Sequence, residues 1–335
     1  MAISGLSQVL PTTKHLSGTV MYQWQGCWYP SDHLKAAMDV SKHFMAHPDN
    51  TLLASASKTG TTCLSVLFSI TSRGLIPKEE AQKLILSTHP HKLIPHLAIE
   101  YKKAIKLPLS RLFSTHIPYS TLPDPLKDSC SQIIYISRNP RYTFVPLWQF
   151  AQQMQRGNSE PLTFEDAFEQ FCEGNTNFGP FLEHVLEYYE GSQERPQNIL
   201  FLTYEEMKAD TKGGVKRMAQ FLCRSIEREE EVEETVEMCS FERLSNLDVN
   251  RSKEKSPWGS LPYNSFFRKG VVGDWVNHFT PAMTERLDRI TQEKNRGPDY
   301  NLDSNRIEAN VSRNGLVRVA GALKLDVCFI FMTVT

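Results

Sequence analysis

Three short apolar runs, each ending in polar residues and followed by a helical pattern, constrain the fold more than any other feature. Thr51-Leu-Leu-Ala-Ser-Ala-Ser57 leads into Lys58-Thr-Gly-Thr-Thr62 and a helix-period segment through Leu64, Leu67, Phe68 and Ile70, which Arg73-Gly74 closes. Gln132-Ile-Ile-Tyr-Ile-Ser137 runs into Arg138-Asn139-Pro140 and another helical stretch. Asn198-Ile-Leu-Phe-Leu-Thr203 runs into Tyr204 and a helix near residues 214–222. Apolar strands alternating with helices predict an α/β fold: a central, mostly parallel sheet flanked by helices. In such sheets ligands bind beyond the carboxyl ends of the strands. Lys58, Arg138 and Tyr204 all fall just past those ends, so the three segments are expected to build one site.

Composition narrows the class. The 335 residues fit one large α/β domain or two small ones. Thirty-seven basic and 38 acidic residues give a net charge of -1, so no global field recruits nucleic acid or an anionic membrane. Seven cysteines, an odd number with no CxxC pair, argue against a disulfide framework or a zinc site and for a reducing compartment. Residues 1–16 lack a basic segment followed by an apolar one, so no secretory signal is expected. No apolar run reaches the roughly 18–20 residues of a membrane span. The seven glutamates between Glu227 and Glu237 read as a solvated helix face. His89, His91 and His96 lie among prolines with no cysteine or carboxylate partner, and read as loop histidines; no metal is expected.

The turn after the first strand carries the chemistry. A strand, a Gly/Thr turn with a lysine, and a helix N-terminus together hold an anion, because unpaired N–H groups and the helix dipole point at the ligand. A nucleoside-triphosphatase loop reads GxxxxGK[ST], with the lysine after the second glycine. Here Lys58 precedes Gly60, and no glycine lies five residues upstream of Gly60, which argues against that class and against a small-molecule kinase. On these residues alone an ordinary strand–helix connection stays open.

Five segments together resemble the plant cytosolic sulfotransferase family. Ser57-Lys-Thr-Gly-Thr-Thr62 is similar to its 5′-phosphosulfate loop, and Arg111-Leu-Phe-Ser-Thr-His-Ile-Pro-Tyr119 to the segment carrying its catalytic histidine. Ile134-Tyr-Ile-Ser-Arg-Asn-Pro140 resembles its 3′-phosphate segment, and Phe267-Arg-Lys-Gly-Val-Val-Gly-Asp-Trp275 its RKGxxGDW signature. Tyr22-Gln-Trp-Gln-Gly-Cys-Trp-Tyr29 resembles the acceptor-side aromatic segment. The resemblance implies sulfonate transfer from 3′-phosphoadenosine-5′-phosphosulfate (PAPS) to a hydroxyl of a small lipophilic acceptor of flavonoid, steroid or plant-hormone type, by in-line displacement with PAP as product. It implies His116 as general base and Lys58 as a catalytic cation on the leaving oxygen. The donor would be held by Lys58, Thr59, Gly60, Thr61, Thr62, Cys63, Arg138, Pro146, Tyr204, Phe241, Arg268, Lys269 and Gly270. Tyr22, Trp24, Tyr119 and Phe150 would line the acceptor pocket. A cytoplasmic location is expected, with no nucleic-acid, membrane or metal partner.

Three departures from the family's pattern define a second reading. Cys63 replaces a tryptophan that packs on the adenine, Pro146 replaces a serine that helps hold the 3′-phosphate, and Arg141-Tyr142 replaces a Lys-Asp pair. Cysteine loses a stacking surface worth roughly 1–3 kcal/mol, and proline removes a hydroxyl and an N–H. The alternative is a catalytically impaired homologue that binds PAP or a small ligand without turnover. The expected organisation is an N-terminal arm (residues 1–20), a sulfotransferase domain (21–302) and an atypical tail (303–335) outside the core. In the stretch used for dimerisation by animal members, Val276 and Pro281 replace a lysine and a valine, so a monomer is expected, with Pro281 opening a helix.

Overall fold

The computed structural model describes residues 9–59, 63–104, 111–154, 162–254, 261–267 and 274–294. Within them, seven strands form two sheets. β1 (Thr12–Lys14), β2 (Val20–Trp24) and β3 (Cys27–Pro30) make a small antiparallel sheet. β4 (Thr51–Ser55), β5 (Leu112–Thr115), β6 (Gln132–Ser137) and β7 (Ile199–Thr203) make a parallel sheet in the order β5-β4-β6-β7. The helices that position the site are α1 (Ser31–His43), α2 (Cys63–Thr71), α3 (Pro140–Gln153), α4 (Phe164–Cys172), α5 (Phe181–Glu194), α6 (Tyr204–Ala209), α7 (Thr211–Phe221), α8 (Glu229–Met238) and α9 (Pro281–Lys294).

The apolar runs are continuous because both faces of the parallel sheet are covered. Successive side chains point to opposite faces. Leu52, Ala54, Phe113, Ile133, Tyr135 and Ile199 therefore join one core with Leu34 and Val40 of α1, Phe168 of α4 and Val185 of α5. Leu53, Leu112, Ile134, Ile136 and Leu202 join the other, with Leu64 and Leu67 of α2, Val215 and Met218 of α7 and Val232 of α8. This is the α/β architecture that the alternating segments predict. β5 escapes a reading by hydrophobic pattern because half of Leu112-Phe-Ser-Thr115 is polar; Ser114 and Thr115 are nonetheless buried.

Several local expectations are met. Gly74, at φ +74°, closes the segment after α2. Pro281 opens α9, with the Met283 N–H donating to Thr280 Oγ1 at 3.2 Å. α8 buries Val232, Thr235 and Val236 and turns its glutamates to Lys212, Lys216 and Lys78. The residue-20 boundary of the expected N-terminal arm falls inside the antiparallel sheet, since Thr12–Lys14 pairs with Val20–Tyr22, and His15 and Leu16 are buried. The tail 303–335 lies outside the described residues.

Candidate functional site

Four strands deliver their polar ends to one rim. β4 ends at Ser55 and leads to Lys58, β5 leads to His116, β6 to Arg138 and β7 to Tyr204. Lys58 sits at φ +69°, a conformation costly for a residue with a Cβ and common at ligand clamps. Its chain is buried, and Nζ lies 2.9 Å from the ring centroid of Phe150 and 5.8 Å from that of Phe266. Phe150, expected on the acceptor side, thus lies across the loop lysine. It shares an aromatic cluster with Phe266, Phe267 and Phe241, the last expected beside the adenine. Thr59 is fully buried. Its hydroxyl donates to Ala56 O (2.7 Å) and Ile136 O (3.2 Å), and its N–H to Ala56 O (3.3 Å), tying the loop to β4 and β6. Gly60, Thr61, Thr62, Arg268, Lys269 and Gly270 lie outside the described residues, as does the side chain of Cys63.

The His116 ring is fixed by one strong contact. Nδ1 lies 2.7 Å from Ser55 O. A carbonyl only accepts, so Nδ1 carries the proton and Nε2 of the neutral ring keeps its lone pair. Burial pushes the His116 pKa down to about 4; the Ser55 hydrogen bond opposes this, while His33 and Lys58 add to it. The imidazole is accordingly neutral at pH 7. Its ring neighbours are His96, at 5.4 Å between centroids, and Phe178, at 5.6 Å. Phe178 also meets His33 (5.3 Å) and Tyr29 (5.5 Å), and Tyr29 meets Trp24 (5.9 Å). An unbroken aromatic path therefore joins the antiparallel sheet to His116. Trp24 is on that path. Tyr22 lies opposite Tyr29 in the β2–β3 register, and Tyr119 packs on Tyr188 at 5.4 Å.

Arg138 is buried, its guanidinium 4.5 Å from the centroid of Tyr204, which is itself fully buried. Beside it the Asn139 N–H donates to Glu205 Oε1 at 3.0 Å. Burial raises the Glu205 pKa, against the pull of the Asn139 N–H and of Arg138. Asn139 caps α3 by accepting from the Arg141 N–H at 2.9 Å. The departure at Arg141 has a structural role: its Nε donates to Asp288 Oδ1 at 3.0 Å, a second guanidinium nitrogen meets Oδ2, and the group lies 4.8 Å from the Trp275 ring centroid. It fastens α3 to α9. Pro146 is buried inside α3, to which it brings no backbone N–H.

Of the histidines read as loop residues, His89 caps the short helix Pro90–Leu93, His91 lies in it, and His96 forms an isolated bridge with Ser114. All three are buried. Burial, with Lys92 nearby, lowers His89 to about 3, and burial puts His91 and His96 well below the usual imidazole range. Aromatic packing accounts for this: His89 lies 4.3 Å from Tyr263 and His91 4.8 Å from Phe266. Among the described residues no group of three or more His, Cys, Asp or Glu is arranged to hold a metal. The sequence reading also passes over Phe178, His184 and Glu205, which the fold brings to the rim from segments with no local motif.

The arrangement gathers two buried cations, one neutral imidazole whose Nε2 keeps its lone pair, and an aromatic wall. Cations at two strand ends suit a ligand with two separated anionic groups. A neutral imidazole suits proton removal.

The sequence pattern of the sulfotransferase domain matches residues 48–298. The chain is 39% identical over 297 residues to cytosolic sulfotransferase 5 of Arabidopsis thaliana, covering 85% of this chain and 91% of that one. It is 38% identical over 303 residues to cytosolic sulfotransferase 12 of the same plant, covering 88% and 92%. The crystal structure of an Arabidopsis thaliana protein assigned as a steroid sulphotransferase superposes with a TM-score of 0.70 at 32% identity, covering 89% of this chain and 94% of that one. A mouse sulfotransferase crystallised with PAP shares the fold, with a TM-score of 0.69 at 24% identity over 88% and 99% of the two chains.

Proposed function

The chain belongs to the sulfotransferase family, and we propose from that premise that it transfers a sulfonate group from PAPS to a hydroxyl of a small lipophilic acceptor. The observation that carries this reading is the hydrogen bond from His116 Nδ1 to Ser55 O, which leaves Nε2 to accept a proton at the rim where Lys58 stands. In the reaction the acceptor O–H gives its proton to His116 Nε2, and the acceptor oxygen bonds to sulfur. The bond from sulfur to the bridging oxygen breaks, and PAP leaves with that oxygen. Lys58 offsets charge on the departing oxygen, a demand shared with phosphoryl transfer. Arg138 grips the 3′-phosphate, since a guanidinium matches paired phosphate oxygens. Tyr204 supports Arg138 from below. Trp24 and Phe178 form the wall against which a flat or polycyclic acceptor lies.

The test is incubation with labelled PAPS and a panel of flavonoids, steroids and hydroxylated plant hormones. Sulfonated product is expected. Absence of product with every acceptor, alongside tight PAP binding, favours the second reading, an impaired homologue; Pro146 in the first turns of α3 is the observation behind it. The family relatives are named cytosolic, which supports a cytoplasmic location. Val276 and Pro281 support a monomer; a light-scattering mass near twice 38.3 kDa would contradict it.

A further inference from the structure

The backbone that carries His116 is itself held from behind. His184 and Tyr188 stand four residues apart on α5 and so share one face of that helix. His184 Nε2 lies 3.0 Å from His116 O, and the Tyr188 hydroxyl donates to Ile117 O at 2.8 Å. Two successive carbonyls of the segment leaving β5 are thereby fixed by one helix. His116 O only accepts, so His184 Nε2 carries the proton and Nδ1 is an acceptor. The Tyr135 hydroxyl, 2.9 Å from His184 Nδ1, must then be the donor. The Tyr135 and Tyr188 rings stack at 4.2 Å, and all three side chains are buried.

We propose that His184, oriented by Tyr135 and assisted by Tyr188, is a positioning residue that sets the direction of His116 Nε2. The inference rests on the reading of His116 as the base. The ring of His116 hangs from β4 by one hydrogen bond, while its peptide hangs from α5 by the His184 contact. A ring constrained at only one of these points can turn about its side-chain torsions and lose the Ser55 contact that selects its tautomer. The donor direction from Tyr135 through His184 to the His116 carbonyl runs through one protonation pattern, so the phenol hydroxyl matters although it touches neither reacting group. A buried network of this kind specifies one geometry only while every member is satisfied.

The experiment is nitrogen NMR of the histidine rings in protein labelled with ¹⁵N-histidine, with His116→Ala used to assign the His116 signals. In the wild type the two His116 ring nitrogens are expected far apart in frequency, as one neutral tautomer requires. In His184→Leu, Tyr135→Phe and Tyr188→Phe the two frequencies are expected to move toward each other, with PAP affinity by calorimetry unchanged. His184→Gln, which restores an N–H donor, is expected to recover part of the separation. If His184→Leu does not fold, the two tyrosine variants, which keep ring volume, carry the test. Wild-type His116 frequencies in all folded variants overturn the proposal, even if their melting points fall, because a merely structural role predicts that pattern. Loss of the base reading shows differently, as unchanged sulfonation by His116→Ala.

Discussion

Two regions of this molecule concentrate polar side chains, and they behave in opposite ways. On the outer surface α7 and α8 face each other with Lys212, Lys216, Glu229 and Glu233 in ion pairs, all substantially exposed. At the rim of the parallel sheet His184, Tyr135, Tyr188, Arg138 and Glu205 are buried around a partly buried His116. The surface lattice is exchangeable, since water replaces any partner and screening weakens each pair. The buried set is directional. The rings of His116, His184, Tyr135 and Tyr188 each meet a particular partner, and removing one leaves the other unsatisfied in an environment where that costs about 1–3 kcal/mol.

The comparison can be broken most severely at His116. His116→Ala should abolish detectable sulfonation, a loss of about 10²–10⁴-fold if the ring is the general base, while PAP affinity stays near wild type. Turnover and calorimetric titration check the two halves separately, and unchanged turnover removes His116 from the mechanism. Lys58→Ala should reduce both donor affinity and rate, because its charge meets the donor before and during transfer. An effect on acceptor affinity alone would assign Lys58 to the wrong substrate.

Acid should separate the regions next. Burial pushes His15 and His184 to about 4, His89 to about 3 and His91 and His96 well below their usual values. The unfolded chain binds these protons below pH 6.5, whereas the folded chain refuses them until its own lower pKa values are reached. Their contribution is present above pH 6.5 and is lost as pH falls toward 4, at up to roughly 1.4 kcal/mol per pH unit for each excluded proton. Urea unfolding between pH 7.5 and pH 5 measures this as a steep fall in stability; a flat profile would mean that these rings open to water. The same runs sharpen the contrast, because the Lys216 contact holds the Glu229 carboxyl below the usual carboxylate range.

A smaller effect is expected from restoring family residues at the donor end. Pro146→Ser returns an N–H to α3 and the hydroxyl of the family's pattern, and Cys63→Trp returns that pattern's aromatic side chain. If the two sites meet different ends of the nucleotide, each should tighten PAP by very roughly 1–3 kcal/mol, close to additively. Titrations of both single variants and the double variant that show no gain would mean the site has compensated by other contacts. At the foot of the scale stands Lys216→Ala on the surface lattice, for which no resolvable change in thermal midpoint is expected; a clear loss would show that the lattice is cooperative.

What could be read from the chain follows the same divide. Lys58, Arg138 and Tyr204 were legible because a strand that ends in a charged or aromatic residue marks the carboxyl edge of a parallel sheet. The glutamates of α8 were legible because solvated charge has a simple pattern. His184 was not, since it lies on a helix whose neighbours look ordinary and acquires its importance from a partner 68 residues away; Glu205 adjoins the legible Tyr204, but its partner Asn139 is 66 residues away. A signal did exist: His184 and Tyr188 place two polar rings on the apolar stripe of α5, which calls for buried hydrogen-bond partners. Phe178 offered no such clue. The burial of His89 and His91 depends on Tyr263 and Phe266, which are remote in sequence and invisible to local pattern.

The small antiparallel sheet has an evolutionary consequence. Among the described residues it shares no strand ladder with the parallel sheet. It touches the body through the two backbone bonds between Trp28 and residues Phe178 and Gly179, and through the Tyr29 hydroxyl on Thr121. Its Cys27 and Tyr29 join the main core, but Tyr22 and Trp24 are only partly buried and stand outside the ladder of β4 to β7, so replacing them is expected to leave that register untouched. If the acceptor lies against Tyr22 and Trp24 as proposed, drift there in duplicated genes would redirect preference for the molecule being modified while the proposed nucleotide site is inherited whole. The same partition recommends Tyr22, Gln23 and Trp24 for a combinatorial library, with the buried Met21, Cys27 and Tyr29 held fixed so that the members still fold.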